Sequence, residues 1–231
     1  MNKSYFYLDM KTHELQVPYT HQMRRVRVLL PKNYEEDTDI SYPVVYFHDG
    51  QNVLYSKESF SGHSWKTIPT IKRNPDIPKM IIVAIDNDGL ERMHEYAAWK
   101  YSEMGIPGIQ FGGKGTLYAE FVMDVVKPFI DKEYRTKPDK AHTAMVGSSL
   151  GGNITQFMGL VYQDQIGCLG VFSSANWLHQ EAFNRYIERQ PLAECDDHAC
   201  QQQGQKSQQQ RPPLRQAFGG AGQRAEADIS Q

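Results

Sequence analysis

The chain has 231 residues, of which 25 are Lys or Arg and 27 are Asp or Glu, so its formal net charge is −2. This length suits one sizeable domain or two small ones, and the balanced charge argues against nucleic acid or an anionic membrane as a partner. Residues 1–20 lack the apolar core of a signal peptide, and no run approaches the ~20 apolar residues of a membrane span. The three cysteines suit neither a disulfide framework nor a zinc site. We therefore expect a soluble, cytoplasmic protein that needs no metal and no cofactor.

Short apolar runs alternate with amphipathic stretches over most of the chain. The runs predicted as strands are Phe6–Met10, His13–Tyr19, Val26–Pro31, Val44–His48, Met80–Ile85, Thr143–Val146 and Cys168–Phe172. The first two alternate in polarity and suit antiparallel edge strands, whereas VVYF and MIIVAI are apolar on both faces, as in central strands covered by helices. The locally basic Met23–Arg27 also lies on a predicted strand, and we expect it to be a solvent-facing edge rather than an anion site.

Three helices are predicted between and after these strands. The first carries an apolar stripe at helical spacing, formed by Tyr118, Phe121, Val122, Val125 and Phe129. Pro128 should kink or restart this helix. The others are Gly152–Tyr162 and His179–Arg189. Alternation of this kind predicts an α/β fold with a mostly parallel sheet.

The composition changes sharply near residue 194. Residues 201–231 contain ten glutamines, whereas residues 1–200 contain nine. Large apolar residues are few in this segment, so it buries too little apolar surface to offset its ordering entropy. The sequence therefore predicts one folded domain, residues 1–194, followed by a Gln-rich disordered tail, residues 195–231.

One stretch has the pattern of a nucleophile elbow. Gly147-Ser148-Ser149-Leu150-Gly151 matches G-x-S-x-G and lies between a predicted strand and a predicted helix. In such a turn the central serine is held above the sheet, and the free N–H groups of the following helix can stabilise an oxyanion. We predict Ser149 as the nucleophile and the N–H of Leu150 as an oxyanion donor, with Ser148 as a packing residue.

A second motif, His48-Asp49-Gly50-Gln51-Asn52, follows the strand residues Val44–Phe47. A loop after an early central strand can supply the second oxyanion donor, and Gly50 lets its backbone turn. The N–H of Gln51 is the candidate donor, although a neighbour could serve and the motif could be an ordinary Asp-Gly turn. His48 could be a base, but a buried histidine that braces the loop is the favoured interpretation.

Four segments occur in an order that resembles the putative-esterase family of α/β hydrolases, related to esterase D and to feruloyl and enterochelin esterases. The segments are HDGQNVL, Glu91–Tyr96, FVMDVVKPFIDKEYRT and VGSSLGG. The resemblance covers roughly residues 1–194. It implies an α/β-hydrolase sandwich with antiparallel N-terminal strands, a small-molecule ester substrate, Ser149 as nucleophile, and Gln51 and Leu150 as the oxyanion hole. It also implies a substrate pocket formed by His48, Asp49, Gly50, Arg92, Glu95 and Tyr96. The last three would line its rim, the alternative being a surface ion pair beside a packed tyrosine.

A serine esterase also needs a histidine base and an acid downstream of the serine. Asp164 would lie ~22 Å from Ser149 along the helix, His179 has no evident acid, and Asp196, Asp197 and His198 adjoin one another in the tail. We therefore expect a chain truncated or frameshifted after about residue 194, lacking the last strands and prone to self-association through an uncovered sheet edge. Two functions stay open: a serine carboxylic-ester hydrolase, or an inactive remnant that acts by binding.

Overall fold

The fold is taken from a computed structural model, which describes residues 9–102, 108 and 110–191. The chain divides into two units, Met1–Leu192 and Ala193–Gln231, and every described residue belongs to the first. The predicted tail, 195–231, and part of the predicted strand Phe6–Met10 lie outside the described residues.

A six-stranded sheet forms the centre of the described part. Its strands are β1 Asp9–Gln16, β2 Met23–Leu30, β3 Val44–Phe47, β4 Ile81–Ile85, β7 Thr143–Ser148 and β8 Cys168–Phe172. Across the sheet they lie in the order β1-β2-β4-β3-β7-β8. β1 pairs antiparallel with β2, and β2 pairs antiparallel with β4. The pairs β4–β3, β3–β7 and β7–β8 are parallel. The predicted α/β class, mostly parallel with antiparallel N-terminal strands, is confirmed.

One strand, β1, takes the place of the two predicted at the N-terminus. The polar pair Lys11–Thr12 separates the predicted runs, but in the structure it pairs with Val28 and Arg27 without a break. The strand ends at Gln16 rather than Tyr19, because Val17 accepts a hydrogen bond from the N–H of His21 and the chain turns back.

The basic stretch Met23–Arg27 is not a solvent-facing edge, and that prediction is wrong. It belongs to β2, which has β1 on one side and β4 on the other. Arg24 and Arg27 are only 4% and 2% exposed. Their charges are balanced by buried carboxylates described below, which is the condition under which an arginine is stable inside a protein.

Both faces of the sheet are covered. Ile81, Val83 and Ile85 of β4 join the larger apolar core, while Ile82 and Ala84 join a smaller core on the opposite face. This alternation explains why the segment is apolar throughout. It confirms the sandwich predicted from the MIIVAI run.

Helices connect and cover the strands. They are α1 Gly50–Val53, α2 Thr67–Arg73, α3 Arg92–Glu95, α4 Gly115–Glu120, α5 Lys127–Glu133, α6 Leu150–Val161 and α7 Gln180–Arg189. A short ribbon, β5 Lys100–Tyr101 with β6 Phe111–Gly112, precedes α4. The π-helical turn Phe121–Val126 joins α4 to α5, and Pro128 follows it in the first turn of α5. The helix therefore restarts at the proline, because its ring and missing N–H disfavour an uninterrupted α-helix.

Candidate active site

Ser149 occupies a strained turn between β7 and α6. Its backbone angles are φ 58° and ψ −121°, a conformation that costs a non-glycine residue about 1–3 kcal/mol. Two hydrogen bonds hold it: its N–H donates to the carbonyl of Phe172, the last residue of β8, at 3.0 Å, and its own carbonyl accepts from the N–H of Ala175, just after β8, at 3.1 Å. The strand, turn and helix predicted from the motif are thus present, and the serine is the residue at the turn.

Two glycines let β7, α6 and the loop after β3 approach one another closely. A Cβ on Gly147 would overlap the carbonyl of Gly151 and lie 2.7 Å from Oγ1 of Thr155. A Cβ on Gly151 would lie 3.1 Å from Oδ2 of Asp49. The glycine pattern of the motif therefore reflects backbone contact, as well as the turn itself.

The loop after β3 lies beside this turn. β3 and β7 are parallel neighbours, and the N–H of His48 donates to the carbonyl of Val146 at 3.0 Å. Gln51 and Leu150 are in the first turns of α1 and α6, where backbone N–H groups have no partner within the helix. The structure thus brings together, at the carboxyl ends of the parallel strands, the serine and the two predicted oxyanion donors.

Asp49 is held at three atoms. Its backbone is left-handed, with φ 57°. Arg92 donates from Nε to Oδ1 at 2.6 Å and from Nη2 to Oδ2 at 2.8 Å, and the Asn87 amide donates to Oδ1 at 2.6 Å. The N–H of Asp49 donates to the hydroxyl of Tyr96 at 3.0 Å. Asp49 is 3% exposed and Tyr96 fully buried, so both lie behind the surface that a substrate would meet.

The ion-pair partner of Glu95 is Arg24, and the pair is buried instead of lying on the surface. Glu95 is fully buried and accepts hydrogen bonds from Nη1 and Nη2 of Arg24 at 3.0 and 2.9 Å, and from the hydroxyl of Tyr19 at 2.6 Å. Burial and the neighbouring Glu95 carboxylate raise the pKa of Tyr19 well above its usual range. Glu95 and Tyr96 therefore lie behind the pocket wall instead of at its rim. Their buried side chains hold α3 in place against the rest of the domain.

A cavity of about 640 Å³ opens at Ser149. It is lined by Gln51, Asn52, Glu58, Phe60, Asn87, Gly89, Arg92, Met93 and Ser149. Of the predicted pocket residues only Arg92 is part of this wall, while His48, Asp49 and Gly50 are buried beneath it.

Five of the side chains that line the cavity could not be predicted from the sequence. Asn52 and Met93 belong to predicted motifs, but no function was predicted for them. Glu58, Phe60 and Asn87 lie in connecting loops. The only signal in the sequence was position, because Asn87 follows a predicted central strand at its carboxyl end, where ligands bind in parallel sheets.

Glu58 connects the cavity to the arginines of β2. It accepts from Arg25 at 2.8 Å and from Arg27 at 2.9 Å. The same arginines donate to the two carboxylate oxygens of Asp86, each at 2.6 Å. Arg25 and Arg27 of the basic stretch are therefore paired with Glu58, which lines the cavity, and with the buried Asp86.

His48 is a buried brace beneath the loop. It is fully buried, and its Nδ1 lies 2.9 Å from the hydroxyl of Tyr118. Burial lowers the pKa of His48 to about 4. The ring is therefore neutral near pH 7, and it lies under the cavity wall rather than in it.

His179, at the start of α7, faces α6. Its Nε2 lies 2.9 Å from the amide nitrogen of Asn153, and burial lowers its pKa. Asp164 follows the C-terminal end of α6 at Val161, whereas Ser149 precedes the N-terminal end of that helix. Within residues 9–102, 108 and 110–191, no histidine is hydrogen-bonded to the Ser149 hydroxyl. His198, Asp196 and Asp197 lie outside the described residues.

No cluster of three or more metal-ligating side chains occurs in the described part of the chain. Among the helices of that part, none is both long enough and apolar enough to cross a membrane.

A comparison with protein-family models shows the family to which the chain belongs. The family described as Putative esterase matches residues 18–215. The chain belongs to the putative esterase family. The match to this esterase family runs past the composition change near residue 194, where the sequence analysis placed the end of the resemblance.

Known proteins similar to this family member support the same fold. The uncharacterized protein YbbA of Bacillus subtilis is 24% identical over 164 residues, covering 71% of this chain and 62% of that protein. The structure of an IroE-like serine hydrolase from Shewanella oneidensis matches 78% of this chain and 55% of its own, with a TM-score of 0.64 and 22% identity. The enterochelin esterase of Shigella flexneri matches 74% of this chain and 38% of its own, with a TM-score of 0.56 and 17% identity. This member of the esterase family thus spans less than two thirds of the length of each of these proteins.

Proposed function

We propose that this protein carries the nucleophile and the oxyanion hole of a serine carboxylic-ester hydrolase. The observation that carries the proposal is the strained backbone of Ser149, whose side chain lines a cavity of about 640 Å³. This cavity lies at the first turns of α1 and α6. Membership of the putative esterase family supports the same chemistry.

The reaction proceeds by two acyl transfers. Oγ of Ser149 forms a bond to the acyl carbon, its hydroxyl proton is released and is later taken up by the leaving alcohol, and the carbonyl electrons move to the oxygen, where the N–H groups of Gln51 and Leu150 stabilise the negative charge. Losing one such donor costs about 3 kcal/mol. The carbonyl re-forms, the alcohol leaves with a proton, and water then releases the acid from Ser149 by the same steps.

No histidine of the described residues contacts the Ser149 hydroxyl as a base, and two observations favour a second candidate function. The two buried histidines on this side of the sheet have other partners, since His48 faces Tyr118 and His179 faces Asn153. With no base on Ser149, the chain would bind esters without cleaving them. The alternative is therefore a non-catalytic ester-binding protein that uses the same cavity.

The remaining predicted site residues, except Arg92, act from behind the wall in this proposal. Asp49 and Gly50 shape the loop that presents Gln51, and His48 supports that loop from below. Arg92 reaches the cavity and holds Asp49. Glu95 and Tyr96 anchor α3, which bears Arg92.

The test is hydrolysis of p-nitrophenyl butyrate by the full 231-residue chain. Ser149→Ala is the active-site variant, and Ser148→Ala, one residue away, is the matched control. A rate that falls by several orders of magnitude in Ser149→Ala alone supports the hydrolase, and His179→Ala and His198→Ala then locate the base. Equal trace rates in all three proteins contradict the hydrolase and favour the binding function.

We also propose that two copies of the chain associate through β8. Among the described strands it pairs only with β7, and Leu169 and Phe172 are 42% and 55% exposed. Residues 168–172, CLGVF, carry no charge, so antiparallel pairing of two copies brings no like charges together. An exposed, uncharged edge of this kind is a template for strand addition.

A further inference from the structure

Asn87 lies two residues beyond the end of β4, at the same edge of the sheet as Ser149. β4 is the parallel neighbour of β3, so the chain leaving β4 passes beside the loop that leaves β3. The side chain of Asn87 is one of those that line the cavity. It belongs to none of the motifs that the sequence analysis identified.

Asn87 contacts both ends of the tripeptide Asp49–Gln51. Its backbone N–H donates to Oε1 of Gln51 at 3.0 Å, and its carbonyl accepts from Nε2 of Gln51 at 3.5 Å. Its side-chain amide donates to Oδ1 of Asp49 at 2.6 Å. The peptide that carries the N–H of Gln51 lies between these two points.

The Asn87 side chain is itself held in place. Its Oδ1 accepts from the N–H of Gly89 at 3.1 Å, which orients the amide so that its nitrogen faces Asp49. A carboxylate at this position could not donate to Asp49 and would repel it. The two contacts together need a donor toward Asp49 and an acceptor for the Gly89 N–H, and the amide of Asn87 supplies both.

We propose that Asn87 is a positioning residue that fixes the direction of the Gln51 N–H toward the oxyanion. This proposal rests on the function proposed above. A donor contributes most to the transition state when its direction is set before the charge develops. α1 has only four residues and cannot set that direction alone, so tying both ends of Asp49–Gln51 to Asn87 supplies the missing rigidity.

The test compares a charged tetrahedral mimic with an uncharged ester. Phenylboronic acid adds to Oγ of Ser149: an O–B bond forms, the hydroxyl proton passes to buffer, and the boron becomes a tetrahedral anion that needs the oxyanion hole. Binding of intact p-nitrophenyl butyrate to the Ser149→Ala chain reports the cavity without that charge. Both are measured by calorimetry on the full chain.

Asn87→Ala is expected to weaken phenylboronic acid binding by about 10- to 100-fold, which is less than the ~100- to 1,000-fold effect of losing one oxyanion donor outright. Ester binding in the Ser149→Ala background should weaken by much less than boronate binding, because the intact ester brings no charge to the oxyanion hole. Gln51→Met, which removes the acceptor for the Asn87 N–H but keeps the backbone donor, should show the same selective loss. Asn74→Ala, an exposed asparagine at the end of α2, is the control and should alter neither ligand.

Each other result overturns the proposal in a distinct way. Unchanged boronate binding in Asn87→Ala and Gln51→Met contradicts the positioning role but leaves the hydrolase function standing. Equal losses for boronate and ester, together with a lower melting temperature, show a merely structural residue. Boronate binding that does not depend on Ser149 in the parent chain removes both the proposed function and this inference.

Discussion

Arg92, in the wall of the cavity, and Asp49, behind that wall, form a two-point ion pair with N–O distances of 2.6 and 2.8 Å. The Asp49 side chain is 4% exposed and that of Arg92 is 23% exposed. A carboxylate that is buried to this extent depends on its partner, because removing one member of a buried pair leaves an uncompensated charge.

Arg92→Ala is therefore expected to lower the free energy of unfolding by about 2–3 kcal/mol, since Asn87 remains as a donor to Asp49. Asp49→Asn removes the charge, and asparagine tolerates the left-handed backbone at this position. Combining the two substitutions should recover about 1–2 kcal/mol relative to their sum. Urea unfolding of the four proteins measures this coupling, and strict additivity would contradict a coupled pair.

Substitution of Gly147 tests the close crossing of β7 and α6. In Gly147→Ala the new methyl group would overlap the Gly151 carbonyl, so a loss of about 3 kcal/mol or more is expected. Gly62→Ala is the control, because its φ is 73° but nothing lies within 4 Å of an added Cβ; only a backbone cost of about 1 kcal/mol is expected there. Similar losses at the two positions in thermal or urea unfolding would show that packing at Gly147 is unimportant.

The buried His48 makes stability depend on pH. Its pKa is lowered by burial to about 4 from 6.5, so between these values the unfolded chain binds the proton and the folded chain does not. The contribution of the neutral His48 to the free energy of unfolding is complete above pH 6.5. It is lost as the pH falls from 6.5 toward 4. Between pH 7 and pH 5 this residue should reduce the free energy of unfolding by about 2 kcal/mol.

The measurement is urea unfolding at pH 7 and pH 5 for the parent chain and for His48→Asn, which keeps a polar atom near the Tyr118 hydroxyl but does not titrate. Burial also lowers the pKa of His13 and His179, and their contribution is common to both proteins. The variant should therefore lose about 2 kcal/mol less than the parent over this range. Identical pH dependence would contradict the lowered pKa of His48.

Association through β8 is tested by a charge on the exposed strand. Leu169→Lys should shift the chain toward monomer in sedimentation velocity, because an edge lysine opposes strand addition. Leu117→Lys, on α4 with nearly the same exposure, 40% against 42%, is the matched control and should leave the association unchanged. Equal effects of the two lysines would assign the association to general hydrophobicity instead of the strand edge.

Much of the architecture could be predicted from the sequence because it is encoded locally. Five of the seven predicted strands match an observed strand within three residues at each end, and the turn at Ser149 lies between the predicted strand and helix. Strand patterns, helical stripes and the glycines of a tight turn all act over a few neighbouring residues. The errors arose where local pattern was insufficient, as for β1, where a polar pair inside the ladder resembled a break.

The tertiary structure alone decided which charged and polar side chains meet around the cavity. Arg24 pairs with Glu95 across 71 positions and Asn87 with Asp49 across 38. These partnerships follow from the strand order, which places β2 beside β4 and β4 beside β3. By itself the sequence determined the α/β class, the strand–turn–helix at Ser149 and the glycine-bearing loop after β3. The neighbours of each charge were decided by the fold, because an ion pair depends on distance in space and distant segments carry no local sign of it.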